Sequence, residues 1–182
     1  MQEAIQLQCL YMLAARAVEI GRIDDYLGEF YRKDLKTGRI THDQAVRLLD
    51  NFFTIIETQC GRDTRVIIGG MGREHEKSAD EFTMLVMDVL EVRREHFYPQ
   101  ISLRYYKEMN QDIYDRALRI LGSGMTFPML YNDDVNVPAV MRAMDVPKKA
   151  AEQYSFFGCG EYMLAAQSIG TVSYTHLTLP TI

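Results

Sequence analysis

Residues 66–90 read VIIGGMGREHEKSADEFTMLVMDVL, and this stretch decides the fold. Val66-Ile67-Ile68 is a short β-branched run stopped by Gly69-Gly70, the pattern of a buried strand. Ser78-x-x-Glu81 has the form of a capping box, and Phe82, Leu85, Val86, Val89 and Leu90 fall on one face of the helix it would open. Strand, glycine turn and amphipathic helix make one βα unit.

The unit repeats downstream. QISLRYY (Gln100–Tyr106) alternates Ile101, Leu103 and Tyr105, which predicts a strand. Asn110 then caps a helix carrying Ile113, Ala117, Leu118 and Leu121, which Gly122 ends. TFPMLY (Thr126–Tyr131) predicts another strand, weakened by Pro128. Helical segments around Val137–Met144 and Lys148–Gln153 lead to the apolar strand Tyr154–Phe157. Such alternation implies an α/β protein with a parallel sheet or barrel and its function at the strand C-termini.

Upstream, Thr41-x-x-Gln44 is a capping box behind which Val46, Leu49, Phe52, Phe53 and Ile56 share a helical face. Gly21 to Gly38 mixes aromatics with charge and ends in a Thr-Gly turn, and Met1 to about Ile20 has a helical period. At the other end, Val172–Ile182 (VSYTHLTLPTI) has no charged residue and no helical period, and it resembles a translated sequencing-adaptor tail. The expected organisation is one partial domain over residues 1–171 and a non-native tail over 172–182.

The 182 residues are 47% hydrophobic and 25% charged, which suits one globular domain and argues against disorder. Twenty Lys+Arg against 25 Asp+Glu give a net charge of -5 with no basic arm, so nucleic acid and anionic membrane are poor partners. No run of about 18 apolar residues would span a bilayer, and no basic segment precedes an apolar one at the start. Cys9, Cys60 and Cys159 are odd in number and far apart, which suits a reducing cytoplasm rather than a disulfide framework. His42, His75, His96 and His176 lack metal-ligand spacing and are expected at the surface.

Two glycine-rich segments invite a chemical reading. Gly69-Gly70-Met71-Gly72 follows a strand but matches no phosphate-binding pattern, so a tight turn is the better reading. Gly158-Cys159-Gly160-Glu161 sits where the strand Tyr154–Phe157 ends. In an extended segment Cys159 and Glu161 would face the same way. A carboxylate beside a thiol disfavours thiolate, and no His, Lys or Arg stands next to it in sequence to offset that. The tetrapeptide therefore leaves two readings: a buried packing cysteine with a solvated glutamate, or a neutral thiol or sulfur radical with a separate carboxylate base.

Taken together, GRIDDYLGEFYRKDLKTGRIT, VIIGGMGREHEKSADEFTMLVMDVL, ISLRYYKEMNQDIYDRAL, GSGMTFPMLYNDDVNVPAVM and GCGEY occur in an order that resembles the glycyl radical enzymes, the family of pyruvate formate-lyase and its dehydratase and lyase relatives. The resemblance runs from about residue 3 to 171 and implies part of a ten-stranded β/α barrel with the thiyl loop inside. It implies that Cys159 is oxidised to a thiyl radical by a distant glycyl radical and that Glu161 is the general base. The glycyl radical would lie on a C-terminal part missing from this sequence, installed by a radical S-adenosylmethionine activase, with no cofactor or metal bound by this segment. A small-molecule substrate, the activase and a homodimer of the full-length protein are the implied partners, in anaerobic cytoplasmic metabolism.

Departures refine this. Pyruvate formate-lyase has two adjacent cysteines, whereas position 160 is glycine, so formate C-acetyltransferase activity is the lesser alternative to lyase or dehydratase chemistry. Where several dehydratase-type members carry Gly-His-Ser, this chain has Ala15-Arg16-Ala17, which makes Arg16 a candidate for an anionic substrate group. The glycyl loop is absent, so the expected identity is an internal fragment; a non-catalytic binding module built on the same barrel is the other reading.

Overall fold

The computed structural model describes residues 1–6, 19–59, 64–157 and 160–164. Strands β1 (Glu19–Arg22), β2 (Arg65–Gly69), β3 (Gln100–Tyr105) and β4 (Met129–Asn132) form a parallel sheet in that order. Helices α1 (Ile23–Lys36) and α2 (His42–Gln59) connect β1 to β2, α3 (Glu76–Val92) connects β2 to β3, and α4 (Gln111–Gly122) connects β3 to β4. After β4 come α5 (Asp133–Met144), the single turn α6 (Lys148–Ala151) and an antiparallel hairpin of β5 (Tyr154–Phe157) and β6 (Glu161–Leu164).

The register gives the sheet two unlike faces. Val66, Ile68, Ile101 and Leu103 alternate onto the face covered by α1–α4, in a core with Leu27, Phe52, Phe53, Phe82 and Leu85. The residues between them pair Arg65 with Gln100, Ile67 with Ser102 and Gly69 with Arg104, then Ser102 with Met129 and Arg104 with Tyr131. They share the opposite, largely polar face, the inner face, on which the hairpin packs. A smaller apolar cluster of Ile67, Val137, Val140, Tyr154, Phe156 and Leu164 packs α5 and the hairpin there.

Local chemistry sets most helix ends. The Thr41 box forms, with the Gln44 N–H donating to Thr41 Oγ1 at 3.2 Å and the Thr41 N–H donating to Gln44 Oε1 at 2.8 Å. Asn110 and Asn132 cap α4 and α5 through their side-chain oxygens. The Ser78 box does not form: α3 starts at Glu76, and buried Ser78 donates to the His75 carbonyl. The cause is tertiary. Gly28 of α1 lies so close to α3 that an added Cβ would stand 2.7 Å from the Ser78 carbonyl oxygen, and this contact fixes where α3 runs.

Two other expectations are corrected. The helix expected to about Ile20 is seen at residues 2–6, but Glu19–Arg22 is strand, because parallel pairing with β2 outweighs a helical period that four residues cannot sustain. Tyr154–Phe157 is a buried strand, but its hydrogen-bond partner is β6 and not the parallel sheet.

Candidate functional site

The hairpin lies across the inner face, and a set of buried arginines holds its base. Arg104 of β3 donates to the carbonyl oxygens of Tyr154 (2.9 Å) and Glu152 (3.0 Å). Its guanidinium also stands 3.8 Å from the Tyr154 ring centroid. Arg22, at the end of β1, donates to the Glu152 carbonyl at 3.2 Å. Further along β5, Phe156 stacks on Tyr131 with centroids 3.9 Å apart, and the Arg65 guanidinium is 5.8 Å from its ring. Because Arg22 and Arg104 are near the C-terminal ends of their strands and Arg65 begins β2, the hairpin starts at the C-terminal edge and descends across the face.

Asp133 anchors this arrangement. It is the first residue of α5, where the helix dipole favours a carboxylate. Its oxygens accept from Arg104 Nε (3.0 Å) and Nη2 (2.8 Å), from the Tyr154 hydroxyl (2.5 Å) and from the Met71 N–H (2.8 Å). Both members of the ion pair have no exposed side-chain surface. Burial and the Asp133 charge push the Tyr154 phenol well above its usual range, although Arg104 opposes this. The neighbouring Asp134 accepts from the Lys107 N–H at 2.9 Å. Asn132-Asp133-Asp134 thus caps, anchors and fastens in turn.

The Gly69–Gly72 segment is the turn against which this base rests. Arg22 Nη2 donates to the carbonyls of Gly69, Gly70 and Met71 at 3.2, 3.4 and 2.9 Å, and burial together with the nearby Arg104 lowers its pKa to about 10. Asp24, fully buried, accepts from the Gly69 N–H (2.8 Å), the Thr83 hydroxyl (3.1 Å) and Arg73 (3.3 Å). Its burial raises its carboxyl above the ordinary value, against the pull of Arg73 and Arg22. Gly70, at φ +89°, admits no side chain, because an added Cβ would lie 2.9 Å from both Asp133 Oδ2 and the Arg104 Cβ. These contacts support the tight-turn reading: its carbonyls face arginine, and a phosphate has no place in it.

Glu161 opens β6 as an exposed residue paired with Phe157, so three residues separate the strands. The chain reverses between β5 and β6, and Gly160 takes φ +110°. An added Cβ at Gly160 would lie 3.5 Å from the Tyr131 hydroxyl, which accepts from Arg65 Nη1 at 3.0 Å. Cys159 lies outside the described residues, as do Arg16, Cys9, Cys60, His176 and the tail 172–182. His42, His75 and His96 are exposed, as expected. Sequence reading missed Arg22, Asp24, Arg65, Arg104 and Tyr131; only Arg65 and Arg104 left a trace, as charges in mostly apolar strands.

A βα sheet with an antiparallel hairpin laid on its inner face has the fold of the glycyl radical enzyme barrel. A solved glycyl radical enzyme from Archaeoglobus fulgidus matches with a TM-score of 0.68 at 25% identity, over 81% of this chain and 21% of that one. The family model described as pyruvate formate lyase-like matches residues 1–182, and the chain belongs to that family. Its relatives include an isethionate sulfite-lyase of Nitratidesulfovibrio vulgaris, 28% identical over 183 residues (87% of this chain, 22% of that protein). They also include a (2S)-3-sulfopropanediol dehydratase of Klebsiella oxytoca, 22% identical over 179 residues (90% and 21%). The chain spans about a fifth of the length of these curated relatives. Among the described residues no helix is long and apolar enough to cross a membrane.

Proposed function

We propose that this chain is a segment of a glycyl radical lyase or dehydratase that cleaves a C–X or C–C bond in a small organic substrate, with Cys159 as hydrogen-atom carrier and Glu161 as general base. The observation that supports it is the placement of the hairpin: β5, which precedes Cys159 in sequence, and β6, which Glu161 opens, pack on the polar sheet face, and their base is fixed by Arg22, Arg104 and Asp133. A site that generates radicals needs such a fixed base, since misplaced hydrogen transfer destroys the enzyme.

In this reading a glycyl radical elsewhere in the full-length protein, installed by a radical S-adenosylmethionine activase, supplies the unpaired electron. The Cys159 sulfur, as thiyl, takes a hydrogen atom from a substrate C–H and becomes a thiol. Glu161 takes the proton of the hydroxyl on that carbon, and the leaving group on the adjacent carbon departs with the bonding pair. The product radical then recovers a hydrogen atom from the Cys159 thiol, which restores the thiyl. The base and the sulfur never compete for one proton, so a neutral thiol beside a carboxylate is the chemistry this pair suits. We also take the full-length protein to be a cytoplasmic homodimer of anaerobic metabolism, residues 1–171 to be barrel, and 172–182 to be non-native.

Anaerobic expression of the full-length protein with its activase, followed by a screen of isethionate, (2S)-3-sulfopropanediol and glycerol, tests this. Cleavage of one of them, lost in Glu161→Gln while the glycyl radical signal persists, is the expected result. Turnover by Glu161→Gln at the parent rate would reject Glu161 as the base.

A further inference from the structure

A cleft of about 310 Å³ opens beside the hairpin, walled by Arg22, Asp25, Tyr26, Glu74, Gln153 and Ser155. It lies where the end of β1, the first turn of α1 and strand β5 meet. Its walls are tied in place. The Tyr26 hydroxyl donates to the Ile20 carbonyl at 3.0 Å, the Glu74 N–H donates to Asp25 Oδ1 at 3.0 Å, and Gln153 Nε2 donates to the Gly72 carbonyl at 2.8 Å. Walls fixed before binding lose less freedom when a ligand enters. The hairpin register relates this cleft to Glu161. Ser155 pairs with Met163 and position 157 with Glu161, and residues directly opposite or two apart in an antiparallel pair stand on one face. Ser155, Met163 and Glu161 thus share the face turned away from the apolar cluster that holds Tyr154, Phe156 and Leu164. Ser155 and Glu161 are diagonal neighbours on it, about 7–8 Å apart, a span that one small organic molecule covers.

The cleft carries charge of both signs. Arg22 stands against Asp25 and Glu74, so a charged ligand of either sign meets a like charge, and an anion meets two. The Arg22 guanidinium is also committed to the carbonyls of Gly69, Gly70, Met71 and Glu152. A hydroxyl suits such walls, since it donates to a carboxylate and accepts from a serine at once. We propose that Ser155 is a specificity-determining, substrate-contacting residue, and that the cleft takes an uncharged vicinal diol or triol with one hydroxyl on Ser155 Oγ and another within reach of Glu161. This rests on the reading of Glu161 as general base, but its test needs no turnover. Binding of glycerol, propane-1,2-diol and isethionate to full-length, unactivated protein is measured by calorimetric titration. At least one of the two uncharged compounds binds the parent more tightly than isethionate does, and Ser155→Ala weakens that binding about five-fold, the worth of one neutral hydrogen bond. Ser155→Val, which sets two methyl groups against the cleft, weakens it further.

Unchanged affinity in Ser155→Ala overturns the proposal, as does the absence of binding by both uncharged compounds, or isethionate binding as tightly as either of them. If Ser155→Ala does not fold, a crystal structure of the parent with the tighter-binding uncharged compound decides. A ligand oxygen within about 3.2 Å of Ser155 Oγ supports the proposal, and one beyond about 4 Å rejects it. Failure of the base reading would appear separately, as Glu161→Gln turning over at the parent rate while Ser155→Ala still weakens binding.

Discussion

Replacing Arg104 by Met in the full-length protein should loosen the hairpin specifically. The change removes both hydrogen bonds to Asp133 and those to the Tyr154 and Glu152 carbonyls, all in a site with no exposed side-chain surface. Breaking a buried ion pair by removing one partner costs about 3–5 kcal/mol. The low end applies here, because Asp133 keeps the Met71 N–H and the Tyr154 O–H as donors. The Glu152 carbonyl keeps Arg22, but the Tyr154 carbonyl loses its arginine donor, worth roughly 1 kcal/mol more. A total of about 4 kcal/mol corresponds to between 10²- and 10³-fold in a local opening equilibrium. Hydrogen exchange of the β5 and β6 amides should therefore accelerate by about a hundred-fold or more, while amides of α3 change little. Adding Asp133→Leu should recover roughly half of the loss, since no charge is then left buried alone. Hairpin exchange within about three-fold of the parent would refute the claim that Arg104 holds the site in place.

Further outcomes follow from the same structure. Gly28→Ala forces a Cβ to within 2.7 Å of the α3 backbone, so a full-length variant should lose roughly 1–3 kcal/mol in chemical denaturation; an unchanged midpoint would show that α1 and α3 are not in close contact. Burial raises the phenols of Tyr26 and Tyr154, and pushes those of Tyr31 and Tyr106 up to about 12. Above about pH 10 the unfolded chain then binds fewer phenolic protons than the folded one, so stability falls as pH rises. Tyr154→Phe should flatten that alkaline slope in thermal melts, and a slope unchanged in this variant would contradict the burial-raised phenol. Residues 1–182 expressed alone should aggregate or melt without cooperativity, because among the described residues β1 and β4 are the edges of the sheet and the chain spans about a fifth of the length of its relatives. A sharp two-state transition would count against this.

How far the sequence carried depended on whether the deciding interaction was local. Thr41-x-x-Gln44 and Asn110 act within one helical turn, and both caps form as read. Ser78-x-x-Glu81 has the same local form but lost to the packing of Gly28 against α3, which no window around residue 78 contains. Strand β1 has only four residues interrupted by Gly21, and its pairing with Arg65–Ile67 is more than 40 positions away. The hairpin was half legible: YSFF announced a strand, but its direction depends on Glu161–Leu164 returning beside it and on arginines from two other strands. Arg65 and Arg104 were hidden by their setting, since a lone charge in a strand pattern gives no sign of which face, or which partner, awaits it. Cys159 and Glu161 stood out because thiol, glycine and carboxylate adjoin in sequence, and the fold adds that the chain reverses between β5 and the strand that Glu161 opens.

The most direct test of the radical reading is Cys159→Ala in the full-length protein, activated anaerobically and followed by electron paramagnetic resonance together with product formation. A glycyl radical doublet at the parent's intensity with no detectable product is the predicted result, since the radical is stored elsewhere and only its transfer to substrate passes through sulfur. Product formation by Cys159→Ala at a rate near the parent's would show that Cys159 carries no hydrogen atom.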